Sequence, residues 1–304
     1  MLYPPIATIT PVVDGVPIFE TRSDFDTAIV GVALALALHR VVSGERKYWM
    51  VDVAIVGSAI AILVVSESRA GTLGAAVAVL VALRHAVKRR RSLRKRNELM
   101  MFGLAAVIVG LIIVQPSTAA TARLAGVIPG IQTSSQSQAL AASGRGTADA
   151  RERTWSYLVE YGTSSTSKTA FGVGFGPDFM TETPAGRLLV GGGYQLDSGE
   201  TATRSPHNYW LGSFIRLGII GLALLTLMVA VVLSFAWRTG GLGKDEGDLG
   251  LIAALVAVSL VIPASLGVVL ESPFGSVPFW WAAGVLACRA REARANYRME
   301  DFRG

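Results

Sequence analysis

A chain of 304 residues would suit one or two soluble domains, but 51% apolar and only 16% charged residues exclude an ordinary soluble composition. The mean hydropathy is +0.48 and the net charge is +6. The basic residues cluster at the ends of apolar stretches, as in membrane proteins, which disfavours nucleic-acid binding. The single cysteine, Cys288, rules out an intrachain disulfide.

The first 25 residues hold four prolines and several acidic residues, with neither a basic start nor an apolar run. No cleavable signal peptide is expected there, so insertion is expected to rely on internal helices. A start of this kind just ahead of a span also suits one part of a longer chain.

Seven stretches approach the roughly 20 apolar residues that a membrane helix needs. They cover residues 26–42, 50–65, 70–87, 99–115, 209–237, 249–270 and 274–288. The sixth contains Pro263, and the short seventh carries Trp280 and Trp281. The expected fold is all-α: a polytopic helical membrane protein of seven transmembrane helices, with a large external loop between the fourth and fifth.

The densest basic cluster, Lys88 to Arg91 with Arg94, Lys95 and Arg96, is expected to be cytoplasmic. Counting outward puts Arg40, Arg46 and Lys47 inside, together with Arg289, Arg291, Arg294 and Arg298. This divides the chain into an external N-terminal segment (1–25), a four-helix membrane region (26–115) with the basic loop 88–96, and an external loop (116–206). A three-helix membrane region (207–288) and a cytoplasmic tail (289–304) follow. The external loop carries seven Lys/Arg and seven Asp/Glu. Residues 132–148 read as flexible loop, whereas 149–161 have helical spacing with Trp155, Leu158 and Val159 on one side.

Four features fall on the expected outer face. Ser68-Arg69-Ala70-Gly71 opens the third span; Arg69 there is either a ligand for a lipid phosphate or an interfacial arginine that snorkels to water. Arg151 and Arg153, beside Trp155, either bind an anion or membrane surface or form a solvated helix face. Phe171-Gly172-Val173-Gly174-Phe175-Gly176 has the wrong spacing for a dinucleotide loop and reads as a tight backbone turn. His207-Asn208 precedes the fifth span, and His207 is the one histidine expected outside. It is either a general base or an interfacial hydrogen-bonding residue beside aromatic side chains.

The order Ser68-Arg69, Arg151 to Trp155, Gly172 to Gly176, then His207-Asn208 with Gly218 and Gly221 resembles the O-antigen ligase and Wzy-type polysaccharide polymerase superfamily over about residues 50–285. The resemblance implies transfer of a glycan from a polyprenyl-diphosphate carrier to an acceptor hydroxyl, on the outer side of the cytoplasmic membrane. It implies no nucleotide sugar, no cofactor and no metal. The two key arginines of the family would match Arg69 and Arg151, and its histidine would match His207. Arg153 would add to diphosphate binding, with Asn208, Trp155, Gly172 and Gly174 as supporting residues. The partners implied are the lipid-linked glycan donor, a glycan, lipid or protein acceptor, and membrane lipids. Nucleic acid is not among them.

Two departures stand out. Arg216 lies inside the fifth span, where the family would have an acidic or polar residue, and an arginine at depth is functional or paired. It either reaches the diphosphate or pairs with Glu271 or Glu67. The helix count is also low: about a dozen are usual for the family. The chain corresponds to its C-terminal portion, which brings a separate N-terminal half or other envelope-glycan enzymes into view as partners. The alternatives to a transferase are a truncated, non-catalytic relative and a transporter. A transporter is disfavoured by clean spans without a repeat.

Overall fold

The computed structural model describes residues 12–13, 16–17, 23–44, 48–65, 68–89, 152–185, 206–239, 249–267 and 269–301. An antiparallel ladder joins β1 (Val12–Val13) to β2 (Val16–Pro17), with Val13 opposite Val16. The other regular elements among the described residues are helices. These are α1 (Ser23–Ser43), α2 (Trp49–Val65), α3 (Arg69–Arg89), α4 (residues 152–163), α5 (Thr166–Phe171), α6 (Tyr209–Thr239), α7 (Leu249–Leu266) and α8 (Pro273–Asp301).

Four of them are long and apolar enough to cross a membrane: Phe25–Ser43, Ala70–Val87, Tyr209–Arg238 and Leu249–Leu266. They coincide with the first, third, fifth and sixth expected spans. The second, Trp49–Leu63, is apolar but shorter. The expected fourth span, 99–115, lies outside the described residues, as do most of the loop 88–96 and the stretch 132–148. The seventh differs from expectation. Residues 274–288 are the front of a 29-residue helix that continues through Arg289, Arg291 and Arg294. Arginine is a good helix former, so a change from apolar to basic composition is no stop signal for a helix.

α3 is the centre of the bundle, packed against both α1 and α7, which also touch each other. Small residues make this possible. Ala75, Ala78, Ala82 and Ala86 are fully buried on α3, and a Cβ added at Gly31 of α1 would come within 2.3 Å of the Ala75 Cβ. On the adjoining face, a Cβ at Gly74 would lie 2.3 Å from the carbonyl oxygen of Ser259. That carbonyl is the one Pro263 leaves without its usual helical donor, since proline has no N–H four residues on. Close backbone approach therefore occurs where α7 carries an unfilled acceptor, a recurring geometry of membrane helix contacts. Leu34, Leu63, Val79, Leu255, Leu260, Phe279 and Leu286 fill the rest of the core.

Two links fix the ends of α6. Arg84 of α3 donates from Nη1 to the Trp237 carbonyl at 3.1 Å, with its guanidinium 3.4 Å from the indole centroid. At the other end, Trp210 Nε1 donates to Ser265 Oγ of α7 at 2.8 Å. α3 and α6 thus run parallel, their N-termini at one end of the bundle. Counted through the Gly74–Pro263 contact, these anchor points are about 20 Å apart along the bundle, whereas a straight helix from Trp210 to Trp237 would cover about 40 Å. The excess is taken up at Gly218, where φ is 64° and ψ −172°. The expected fifth span is therefore two segments, Tyr209 to Leu217 and Ile219 onward. Hydropathy missed the break because Leu217 and Ile219 are as apolar as any span residue. In the second segment Val229, Val232 and Ala236 are buried, while Ile219, Ile220, Leu224, Leu227, Met228 and Val231 are exposed.

Candidate functional site

Ser68 caps α3. Its Oγ accepts from Gly71 N at 3.0 Å and its carbonyl accepts from Thr72 Oγ1 at 2.6 Å. Arg69 is then the first helical residue, at the end of the bundle that also holds the start of α6. Its side chain, and the whole of Arg151, lie outside the described residues.

α4 lies alongside the first segment of α6. Trp155 Nε1 donates to the Pro206 carbonyl at 2.8 Å, and Gly162 abuts Phe214 and Ile215. The buried stripe of α4 is Thr154, Leu158 and Gly162, with Trp155 half-buried. Val159, expected beside Leu158, is 46% exposed. Neighbouring residues on a helix point about 100° apart, so the two could not both face the contact squarely. Arg153 is on the exposed side. Leu158, Phe179, Met180, Ala185 and Ile215 form a small separate core here.

His207 has φ 51°, the one positive φ at a non-glycine residue among those described. Left-handed backbone at a residue with a Cβ costs about 1–2 kcal/mol, and histidine is among the types enriched there. The turn is held on both sides: by Trp155 on Pro206, and by Asn208, whose Oδ1 accepts from Trp210 N and Leu211 N, both at 3.1 Å. Asn208 is thus the N-cap of α6. His207 Nε2 is shielded from solvent.

The first segment of α6 is two-sided. Leu211, Phe214 and Ile215 pack on the α4 side, whereas Tyr209, Gly212, Ser213 and Arg216 share the other face at helical spacing. The Arg216 guanidinium lies 3.5 Å from Glu271 Oε2, each side chain 16% exposed, with the Phe179 and Phe175 rings 5.2 and 5.9 Å from its carbon. Gly212 gives the pair its room, because a Cβ there would come within 2.8 Å of Glu271 Oε1 and 3.1 Å of Arg216 Nη1. The Tyr209 hydroxyl lies near Ser213 and in the field of Glu271. Pairing of Arg216 with Glu271 is one of the outcomes expected from sequence. Glu271 itself was not among the expected site residues. Its signal is that of an acid just past a long apolar stretch, flanked by Leu270 and Ser272.

The glycine-rich loop is the tight turn expected of it, and it also has a partner. Val173 N donates to the Ile215 carbonyl and Gly174 N to the Arg216 carbonyl, both at 2.9 Å. In an unbroken helix those acceptors would be filled by the N–H groups of Ile219 and Ile220. The break at Gly218 releases them and the loop takes them up. Gly172 has φ 75°, and a Cβ on it would lie 2.4 Å from the Arg216 carbonyl; one on Gly218 would lie 2.3 Å from the Ala170 oxygen. Two left-handed glycines thus meet backbone to backbone, and Arg216 sits on the helical turn they clasp.

His207, Asn208, Trp155, Gly172, Gly174 and Arg216 are thereby gathered around one segment, at the end of the bundle where α3 begins with Arg69. Long apolar helices carrying an arginine–glutamate site at one end define a helical membrane protein. The family model of O-antigen ligases matches residues 53–226, more than half of the chain, and the protein belongs to that family. The match includes every site residue expected from sequence and stops short of Glu271. Neither the curated proteins nor the solved structures contain a significant match.

Proposed function

We propose that the protein is a glycosyltransferase that moves a glycan from a polyprenyl-diphosphate carrier to an acceptor hydroxyl on the outer face of the cytoplasmic membrane. The observation that carries this reading is the gathering of His207 and the Arg216–Glu271 pair at the Arg69 end of the bundle. Bond breaking at the sugar leaves a lipid diphosphate that takes the electron pair, and preorganised arginines stabilise that charge. Arg69 supplies a guanidinium at a helix N-terminus, whose dipole has the same sign. Arg151 and Arg153 add guanidinium groups for the diphosphate from the same stretch of sequence as Trp155. Arg216 has five N–H donors, so pairing with Glu271 fixes its plane while leaving donors for phosphate. His207 takes the acceptor proton as the oxygen attacks the anomeric carbon.

In this reading the chain has seven spans, including 99–115 and 274–288. Segment 116–206 is external with the N-terminus, and the tail from 289 is cytoplasmic. Donor and acceptor are a lipid-linked glycan and a glycan, lipid or protein hydroxyl. A separate N-terminal half or other envelope-glycan enzymes complete the assembly.

A second reading is a non-catalytic relative that partners such enzymes; the neutralisation of Arg216 by Glu271 favours it. The two separate in one assay. The protein in vesicles is mixed with a polyprenyl-diphosphate glycan and envelope acceptor, and lipid diphosphate release is measured. Release that disappears in His207→Ala and Arg69→Ala supports the transferase. Donor binding without turnover supports the partner. A single displacement inverts the anomeric centre, so a retained configuration in the product excludes this mechanism.

A further inference from the structure

The tip of the glycine loop presents a surface that the chemistry above does not use. Phe171 and Phe175 are 68% and 74% exposed, although the buried Phe179 cluster lies close by. They are not free to fold inward, because the loop backbone is tied to the Ile215 and Arg216 carbonyls. Residues 169–177 carry no charge. The flanking Lys168 is turned onto the Tyr161 ring, with Nζ 3.9 Å from its centroid. The backbone at Ala170 and Phe171 abuts Gly218, and the next residues of α6, Ile219 and Ile220, are 57% and 48% exposed. Phe171 therefore adjoins the apolar face that runs on through Leu224, Leu227, Met228 and Val231, and Phe175 lies four residues further along the same uncharged loop. A membrane span of this length sets such a face at the depth of the acyl chains.

We infer that the loop tip, Phe171 to Phe175, is seated in the acyl region of the bilayer, as an apolar wedge continuous with the lipid-covered face of α6. Apolar side chains held outward on a fixed turn lose contact with water only if the bilayer rises to meet them. The wedge sets a depth. The Arg216 guanidinium is 5.9 Å from the Phe175 ring, so inserting that ring holds the cation close to the level of the lipid phosphates.

The test uses the full chain in phosphatidylcholine–phosphatidylglycerol vesicles. Cys288→Ser removes the native thiol, and Phe175→Cys then carries an environment-sensitive fluorophore; Ser156→Cys, on the exposed face of α4, is the reference. The label at position 175 should be quenched by doxyl-labelled lipid and should show an iodide quenching constant at least about threefold below that of the reference. Quenching by iodide with no effect of doxyl lipid overturns the inference. So does protection from both quenchers, which would mean that protein covers the loop. If Phe175→Cys does not yield folded protein, Phe171→Cys reads the same surface with the same outcomes.

Discussion

Arg216 and Glu271 meet at 3.5 Å against the backbone of Gly212, one on α6 and the other in the turn that leads to α8. Truncating one member leaves the other charged and largely shielded. Arg216→Ala or Glu271→Ala should each lower stability by about 2 kcal/mol, less than for a fully buried pair because some exposure remains. The double variant Arg216→Ala/Glu271→Ala removes both charges and should lose less than the sum of the two single losses. Unfolding in detergent, analysed as a double-mutant cycle, measures the coupling; additive single effects would rule the pair out as a stabilising unit.

Gly218 and Gly174 both have positive φ, but space separates them. A Cβ at Gly218 meets the Ala170 carbonyl at 2.3 Å, while one at Gly174 meets nothing within 4 Å. Gly174→Ala should cost only the conformational term, about 1 kcal/mol, and Gly218→Ala considerably more. In Gly218→Ala, the Val173 and Gly174 amides should also exchange with solvent faster. Equal effects of the two substitutions would contradict the clasp.

Trp155→Phe keeps an aromatic side chain, though a smaller one, and removes the donor to the Pro206 carbonyl. The expected loss is about 1 kcal/mol, with faster amide exchange over residues 206–211. Asn208→Ala removes the α6 cap and should cost a similar amount, about 1 kcal/mol. Exchange confined to α4 in Trp155→Phe would show that the tryptophan does not hold the His207 turn.

Tyr161 donates to Glu182 Oε2 at 2.5 Å, and that bond, with the nearby carboxylate charge and some burial, pushes its ionisation up to about 12. The folded protein then holds this proton more tightly than the unfolded chain, where tyrosine ionises near pH 10. The contribution is complete below pH 10 and is lost as pH rises toward 12. Tyrosinate absorbance, compared between the wild type and Tyr161→Phe, isolates this group. Glu182→Gln should bring its titration back toward the ordinary range, and an unmoved titration would remove Glu182 as the cause.

Hydropathy alone located helices within the stretches 26–42, 70–87, 209–237 and 249–270, although the last helix ends at Leu266, because burial in lipid is a matter of composition and length. It could not locate the break at Gly218. Backbone direction there depends on close approach to Ala170, some fifty residues earlier in the chain, and a glycine among apolar residues looks the same whether the helix continues or turns. The arginine–glutamate pair was legible for the opposite reason: a charge at that depth needs a counter-charge, and few acids are in reach. The face formed by Tyr209, Gly212, Ser213 and Arg216 was also present as spacing, but a hydropathy window averages such a face away. Turn chemistry showed that Gly172 and Gly174 bend the chain. Only the structure shows what they grip, since contacts between backbones leave no trace in side-chain type.

The clasp between the glycine loop and α6 has a consequence for exchange between relatives. Residues 152–218 contain both the donors and the acceptors of one shared set of hydrogen bonds, so they travel as a single cassette. A chimera joined anywhere between Pro177 and Pro206 would take its loop from one parent and its broken helix from the other. Where the second parent has an unbroken helix, the two amides of the first would find their carbonyls already occupied.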